Sequence, residues 1–109
     1  MNWIALETED TLNYLEKDSF QQTVLVFKHS TRCFISKMAL RNFEQTFTAL
    51  ETPCYFLDLI SYRNLSHQIA SAFEVQHQSP QVLLIKDGKV IFHISHENID
   101  GAAISKMLI

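Results

Sequence analysis

Glycine and proline are scarce in this chain of 109 residues, with only two of each. Collagen-like, linker-like and low-complexity readings therefore fall away, because all of them need these residues in bulk. Each of the four positions is expected to have a structural reason. Cysteine is equally sparse: Cys33 and Cys54 are too few for a disulfide scaffold. There is no excess of positive charge. Nine Lys and Arg against twelve Asp and Glu leave a net charge of −3. The basic residues are scattered, so neither a nucleic-acid surface nor a membrane-binding basic block is expected. Long apolar runs are missing too. Stretches such as Val82-Leu83-Leu84-Ile85 fall far short of the ~20 residues that a membrane span needs. The segment Met1 to Glu7 has no positive region and turns acidic at once, which makes a poor signal peptide. The expectation is a cytoplasmic chain in a reducing compartment, where thiols stay free unless they are catalytic.

What is present is a globular composition. Hydrophobic residues make up 47% and charged residues 19%, which separates the chain from disordered sequences. Its length suits one domain over residues 1–109 that can bury a core without staples. Thr8 is a candidate N-cap for a helix reaching about Lys17, with Glu9 and Asp10 at the positive end of the helix dipole. Thr23 to Phe27 is a continuous β-branched and aromatic run, as in a parallel strand buried on both faces. A long helix is expected from Phe34 to Leu50, with Leu40, Phe43, Phe47 and Leu50 as its apolar stripe and Pro53 as its stop. Cys54 to Leu59 reads as a strand and Asn64 to Phe73 as a helix. Gln81 to Lys86 and Lys89 to Ile94 read as a hairpin around Asp87-Gly88. A last helix is expected from Glu97 to Leu108.

The order α-β-α-β-α-β-β-α predicts a three-layer α/β fold, with a four-stranded mixed central sheet and helices on both faces. The right-handed crossover rule makes the first two strands parallel neighbours. That architecture matches the thioredoxin fold.

Cys33 falls where the first predicted strand ends and the long helix begins. The N–H groups of a first helical turn lack intrahelical partners and favour an anion placed before them. Cysteines at such positions are often activated, because the thiolate is the nucleophile in disulfide exchange. The nearest charges in sequence, Lys28, Arg32 and Lys37, are all positive. Cys33-Phe34-Ile35-Ser36 has the spacing of a Cys-x-x-Cys motif with Ser in the second place. Ser36 cannot close an intramolecular disulfide, but its hydroxyl can donate to a thiolate one turn away. This predicts monothiol chemistry, with a mixed disulfide at Cys33 resolved by an outside thiol. Ser79-Pro80 precedes the third strand, where a cis bond would bring the Ser79 backbone towards Cys33 to pair with a thiol ligand. A trans, strand-initiating proline is the alternative.

The stretch Lys28-His29-Ser30-Thr31-Arg32-Cys33-Phe34-Ile35-Ser36 resembles the active-site segment of the YtxJ-type monothiol bacilliredoxin-like family. Ser79-Pro80-Gln81-Val82, Asp87-Gly88-Lys89-Val90 and Ser95-His96 are similar to that family's proline strand and hairpin. The resemblance implies a cytosolic thioredoxin-fold protein that removes a low-molecular-weight thiol, bacillithiol among the candidates, from protein mixed disulfides. It implies no bound cofactor, the thiol serving as co-substrate. Cys33 and Ser36 are then the catalytic pair, and Thr31, Phe34, Ser79 and Pro80 bind substrate. One departure stands out: the family usually places Pro directly after the active Cys, and this chain has Phe34. Phe34 restores an N–H that a proline lacks and adds a ring near the opening.

Other residues carry plainer expectations. Cys54 is expected as a small core hydrophobe, with a resolving thiol as the alternative. The five histidines show no metal-ligand spacing, and His93 and His96 fall on opposite faces of a regular strand. His29, four residues before Cys33, is the one within sequence reach of the thiol, with an ordinary strand-end contact as the alternative. Two further readings stay open: a binding module whose chemistry Phe34 blocks, and a redox sensor that uses Cys54.

Overall fold

A computed structural model describes residues 1–109. The elements are β1 (Trp3–Ala5), α1 (Glu9–Asp18), β2 (Val24–His29), α2 (Phe34–Thr46), β3 (Cys54–Asp58), α3 (Arg63–Ala72), β4 (Gln81–Lys86), β5 (Lys89–Ser95), a 3₁₀ turn (His96–Asn98) and α4 (Gly101–Leu108). The sheet has five strands in the order β1-β3-β2-β4-β5, not the four expected. β1 was missed because three residues, two of them exposed, carry too little pattern to read as a strand. β1 and β2 both run parallel to β3, while β4 is antiparallel to β2 and to β5.

β2 shows why a continuous apolar run was needed. Alternate side chains of a strand leave on opposite faces, and here both faces are covered. Val24 and Val26 enter one core with Leu15, Tyr55, Leu57, Ile69, Leu83 and Ile85, under α1 and α3. Leu25 and Phe27 enter the other with Phe43, Phe47, Val82, Leu84 and Ile104, under α2 and α4. The hairpin turn is built as its sequence requires. Asp87 and Gly88 both have positive φ, 53° and 74°, the geometry of a two-residue turn that Asp-Gly supplies. The turn is tied to the end of α1 by Asp87 N–H to Ser19 O at 2.8 Å and Gly88 N–H to Ser19 Oγ at 3.0 Å.

Two helix boundaries differ from expectation. α2 ends at Thr46, one turn early, and Leu50 is exposed rather than part of the stripe. Its terminus meets α4: a Cβ on Gly101 would lie 2.9 Å from Phe43 O and 2.9 Å from Phe47 N. The Thr48 N–H then donates to Ser105 Oγ at 2.8 Å instead of continuing the helix. The last helix is likewise split. Asp100 caps α4 through the N–H groups of Ala102 and Ala103, so residues from His96 to Asn98 form a separate 3₁₀ turn. In α3, Leu65, Ser66 and Ile69 are buried.

Candidate active site

β2 ends at His29, and Ser30-Thr31-Arg32 turn the chain into α2 with Cys33 as its N-cap. Cys33 has extended backbone, φ −106° and ψ 123°, and its N–H donates to Ser30 O at 3.3 Å. Its own carbonyl accepts the Lys37 N–H at 3.0 Å. The thiol is half-buried, so it stands at the surface next to the free N–H groups of the first turn of α2. No acidic residue occupies that turn.

Ser36 is completely buried. Its Oγ accepts the Ser30 N–H at 2.9 Å and lies 2.8 Å from Nδ1 of His29. The hydroxyl read from sequence as a partner of the thiol is therefore engaged with the strand end. His29 is itself buried, with the rings of Phe27 and Phe56 at 6.4 and 5.4 Å between centroids. Burial lowers its pKa, against the pull of Asp58; Lys37 lowers it further, and Ser36 and Glu44 raise it.

The Ser79–Pro80 peptide bond is cis. Lys28 pairs with Gln81 across β2 and β4, so extending that register sets Pro80 opposite His29 and Ser79 opposite Ser30. Both proline-loop residues thus lie at the sheet end that carries Cys33. Pro80 is buried, and Ser79 Oγ is buried with no hydrogen-bond partner. The Pro80 carbonyl accepts the His96 N–H at 3.0 Å. His96 has φ 57°, a left-handed conformation unusual for a residue with a Cβ.

Phe34 is 74% exposed and, with Ile35, Met38, Asn42, His96 and Glu97, borders a groove of about 300 Å³. Thr31 and Arg32 are exposed on the connecting turn. The groove brings Phe34 to His96, a residue to which the sequence assigns no site role. The signal available was the Ser95-His96 step after a strand, too short to show a left-handed turn. No three His, Cys, Asp or Glu side chains group closely enough to hold a metal.

Cys54 lies elsewhere. It starts β3 beside Leu25, four residues of β2 away from His29, or about 13 Å along the sheet. Its Sγ donates to Thr52 O at 3.4 Å, and burial pushes its pKa up to about 12. A disulfide needs Cα atoms within ~7 Å, so Cys54 cannot resolve Cys33 within the folded chain.

The family model described as monothiol bacilliredoxin BrxC matches residues 4–104. The chain belongs to this family. Among solved structures, a protein assigned as an oxidoreductase with a thioredoxin fold is 27% identical. It superposes with a TM-score of 0.81, covering 94% of this chain and 90% of its own. The thioredoxin of Malassezia sympodialis is 14% identical at TM-score 0.75, covering 98% and 88%. That of Fasciola hepatica is 18% identical at 0.68, covering 95% and 94%. The last two establish the thioredoxin fold alone. In this bacilliredoxin family member, the end of β2, the cysteine at the start of α2 and the cis-proline loop lie at one end of the sheet. No helix is long and apolar enough to cross a membrane.

Proposed function

We propose that this bacilliredoxin family member is a monothiol thiol–disulfide exchanger. In this reading it removes a low-molecular-weight thiol, bacillithiol being the candidate its family suggests, from protein mixed disulfides. One observation supports the reading: Cys33 is a half-exposed free cysteine at the N-cap position of α2, with the other cysteine out of reach and a buried serine where a second one would sit.

The chemistry balances in two steps. The Cys33 thiolate attacks the sulfur of the small thiol in the mixed disulfide. A Cys33–small-thiol disulfide forms, and the target cysteine leaves as a thiolate that takes a proton from water. A second molecule of small thiol, as its thiolate, then attacks that same small-thiol sulfur. This gives the symmetric small disulfide and returns the Cys33 thiolate. The N–H groups at the start of α2 favour the negative sulfur in both steps. The backbone of Ser79, which precedes the cis bond, is the part offered to the ligand. Arg32 and Lys37 supply positive charge beside it. Phe34 walls the opening on one side without closing it, since most of the ring is exposed.

The test is intact-mass spectrometry of the reduced protein mixed with a target protein carrying bacillithiol, glutathione or coenzyme A on one cysteine. Transfer of the adduct mass to Cys33, with recovery of the free target, is expected for at least one of these. No adduct on Cys33 from any of the three would discard the reading in favour of a binding module.

A further inference from the structure

Gln76 to Ser79, the residues that lead into Pro80, make no backbone–backbone hydrogen bond. Main-chain polar groups need partners, and here side chains supply them. Gln81 Nε2 donates to Gln76 O at 3.0 Å, and Gln81 Oε1 accepts the Gln78 N–H at 3.4 Å. Lys28 Nζ lies 3.1 Å from Nδ1 of His77, and Ser66 Oγ of α3 lies 3.3 Å from the same nitrogen. Lys28 and Gln81 are cross-strand partners on β2 and β4, so their side chains leave the sheet on one face. Both are fully buried. The segment thus rests on an adjacent pair of buried polar side chains. An apolar pair would fill that space at lower cost, since a buried ammonium is expensive. What the polar pair adds is hydrogen bonds, and every one that its side chains make goes to this segment.

We propose that Lys28 and Gln81 are positioning residues, which fix Gln76–Ser79 and with it the Ser79 backbone offered to the ligand. The consequence for catalysis rests on the exchange reading of Cys33; the geometry rests on the contacts alone. An ammonium has donors and no lone pair. Nδ1 of His77 is therefore the acceptor, and the neutral ring carries its proton on Nε2. Protonating His77 would set an Nδ1–H against the Lys28 donors and break that contact. Partial desolvation, then Lys28 from β2 and His67 and Arg63 from α3, lower the His77 pKa. Burial lowers that of Lys28 to about 8, which leaves it an ammonium at pH 7. The contact therefore holds near neutrality and opens in acid, below the ordinary histidine range. The arrangement also sets stability against function. Lys28→Met removes a costly buried charge and the hold on the loop in one step.

The experiment compares the wild type with Lys28→Met and Gln81→Met. It reads hydrogen exchange of the Gln78 amide, steady-state transfer of a bacillithiol, glutathione or coenzyme A adduct from a target protein, and iodoacetamide labelling of Cys33. In both variants the Gln78 amide should exchange roughly 3- to 10-fold faster, the worth of one hydrogen bond. Lys28→Met should do so while resisting more urea than the wild type, a split that a merely structural role does not produce. KM for the adduct-bearing target should rise by the same factor, with thiolate-corrected labelling of Cys33 unchanged. Imidazole ¹⁵N shifts of the wild type, which need no variant to fold, should show neutral His77 carrying its proton on Nε2. The Gln78 and Ser79 amide shifts should follow the His77 midpoint, and that midpoint should rise in Lys28→Met. Unchanged Gln78 exchange in both variants, a neutral His77 protonated on Nδ1, or an unchanged KM beside faster exchange would each overturn the proposal. If the wild type accepts no adduct, the exchange reading falls alone. The amide and imidazole measurements then decide whether Lys28 and Gln81 hold the loop.

Discussion

Cys54 begins β3 at the sheet end where β2 starts, and Cys33 lies beyond the end where β2 finishes. The two thiols share a chemistry and differ in everything around them. Cys54 is packed against Leu25, Phe47 and Ile104 in a dry core, with one backbone carbonyl as its partner. Cys33 is half-exposed and meets a helix start rich in N–H groups. The fold thus makes one sulfur a packing atom and leaves the other half-exposed at a helix start. It does so through position along a strand, without any difference in the residue type.

The sharpest way to break this comparison is chemical modification. With its pKa near 12 against an ordinary 9, Cys54 holds roughly a thousandfold less thiolate than a free cysteine at neutral pH. Native protein treated with iodoacetamide is expected to take one label, at Cys33, with the second appearing only in denaturant. Peptide mapping checks this, and equal labelling of both sites in native buffer would refute it.

Lys28 extends the contrast to a cation. It is fully buried on β2 with only His77 Nδ1 as a partner, at 3.1 Å, and burial lowers its pKa to about 8. Below pH 8 the folded chain carries the full cost of a desolvated ammonium. Above it the folded amine sheds its proton while the unfolded one keeps it to about 10.5, so stability rises with pH across that window. Lys28→Met is expected to raise unfolding free energy by about 1–3 kcal/mol at pH 7. The gain should shrink towards pH 10, as followed by urea denaturation at both pH values.

Smaller effects follow at the thiols themselves. Cys54→Ala removes a buried sulfur and should cost about 1 kcal/mol, whereas Cys33→Ala should stay within about 0.5 kcal/mol of the parent. Equal costs in denaturant titrations would erase the distinction. The smallest expected change is at His96, whose φ of 57° suits glycine. His96→Gly should gain about 0.5 kcal/mol, left-handed strain relief being partly offset by chain entropy, visible as a rise in Tm.

Much of this was legible in the residues. Thr23 to Phe27, Gln81 to Lys86 and Asp87-Gly88 carry local patterns that only a doubly covered strand or a tight turn satisfies, and they fold as read. The missed features are those decided by distant partners. β1 exists because Trp3 reaches Phe27, Phe43 and Phe56. α2 stops at Thr46 because Gly101 and Ser105 of α4 meet it there. At the candidate site, the Cys-x-x-Ser spacing singles out Cys33 and Ser36, but not the partners that Ser36 takes. The His29–Ser36 contact spans seven residues across a strand-to-helix turn, a separation with no periodic signature. The groove joining Phe34 to His96 is likewise a product of tertiary packing.

Trp3 is the chain's one tryptophan, lodged within 5.9 Å of three phenylalanine rings, with its indole N–H on Glu44 of α2 at 2.8 Å. Its emission therefore reports on the outermost strand and on the helix that Cys33 begins. The molecule contains its own optical gauge, and detachment of either element should register as a change in colour or brightness without any added dye.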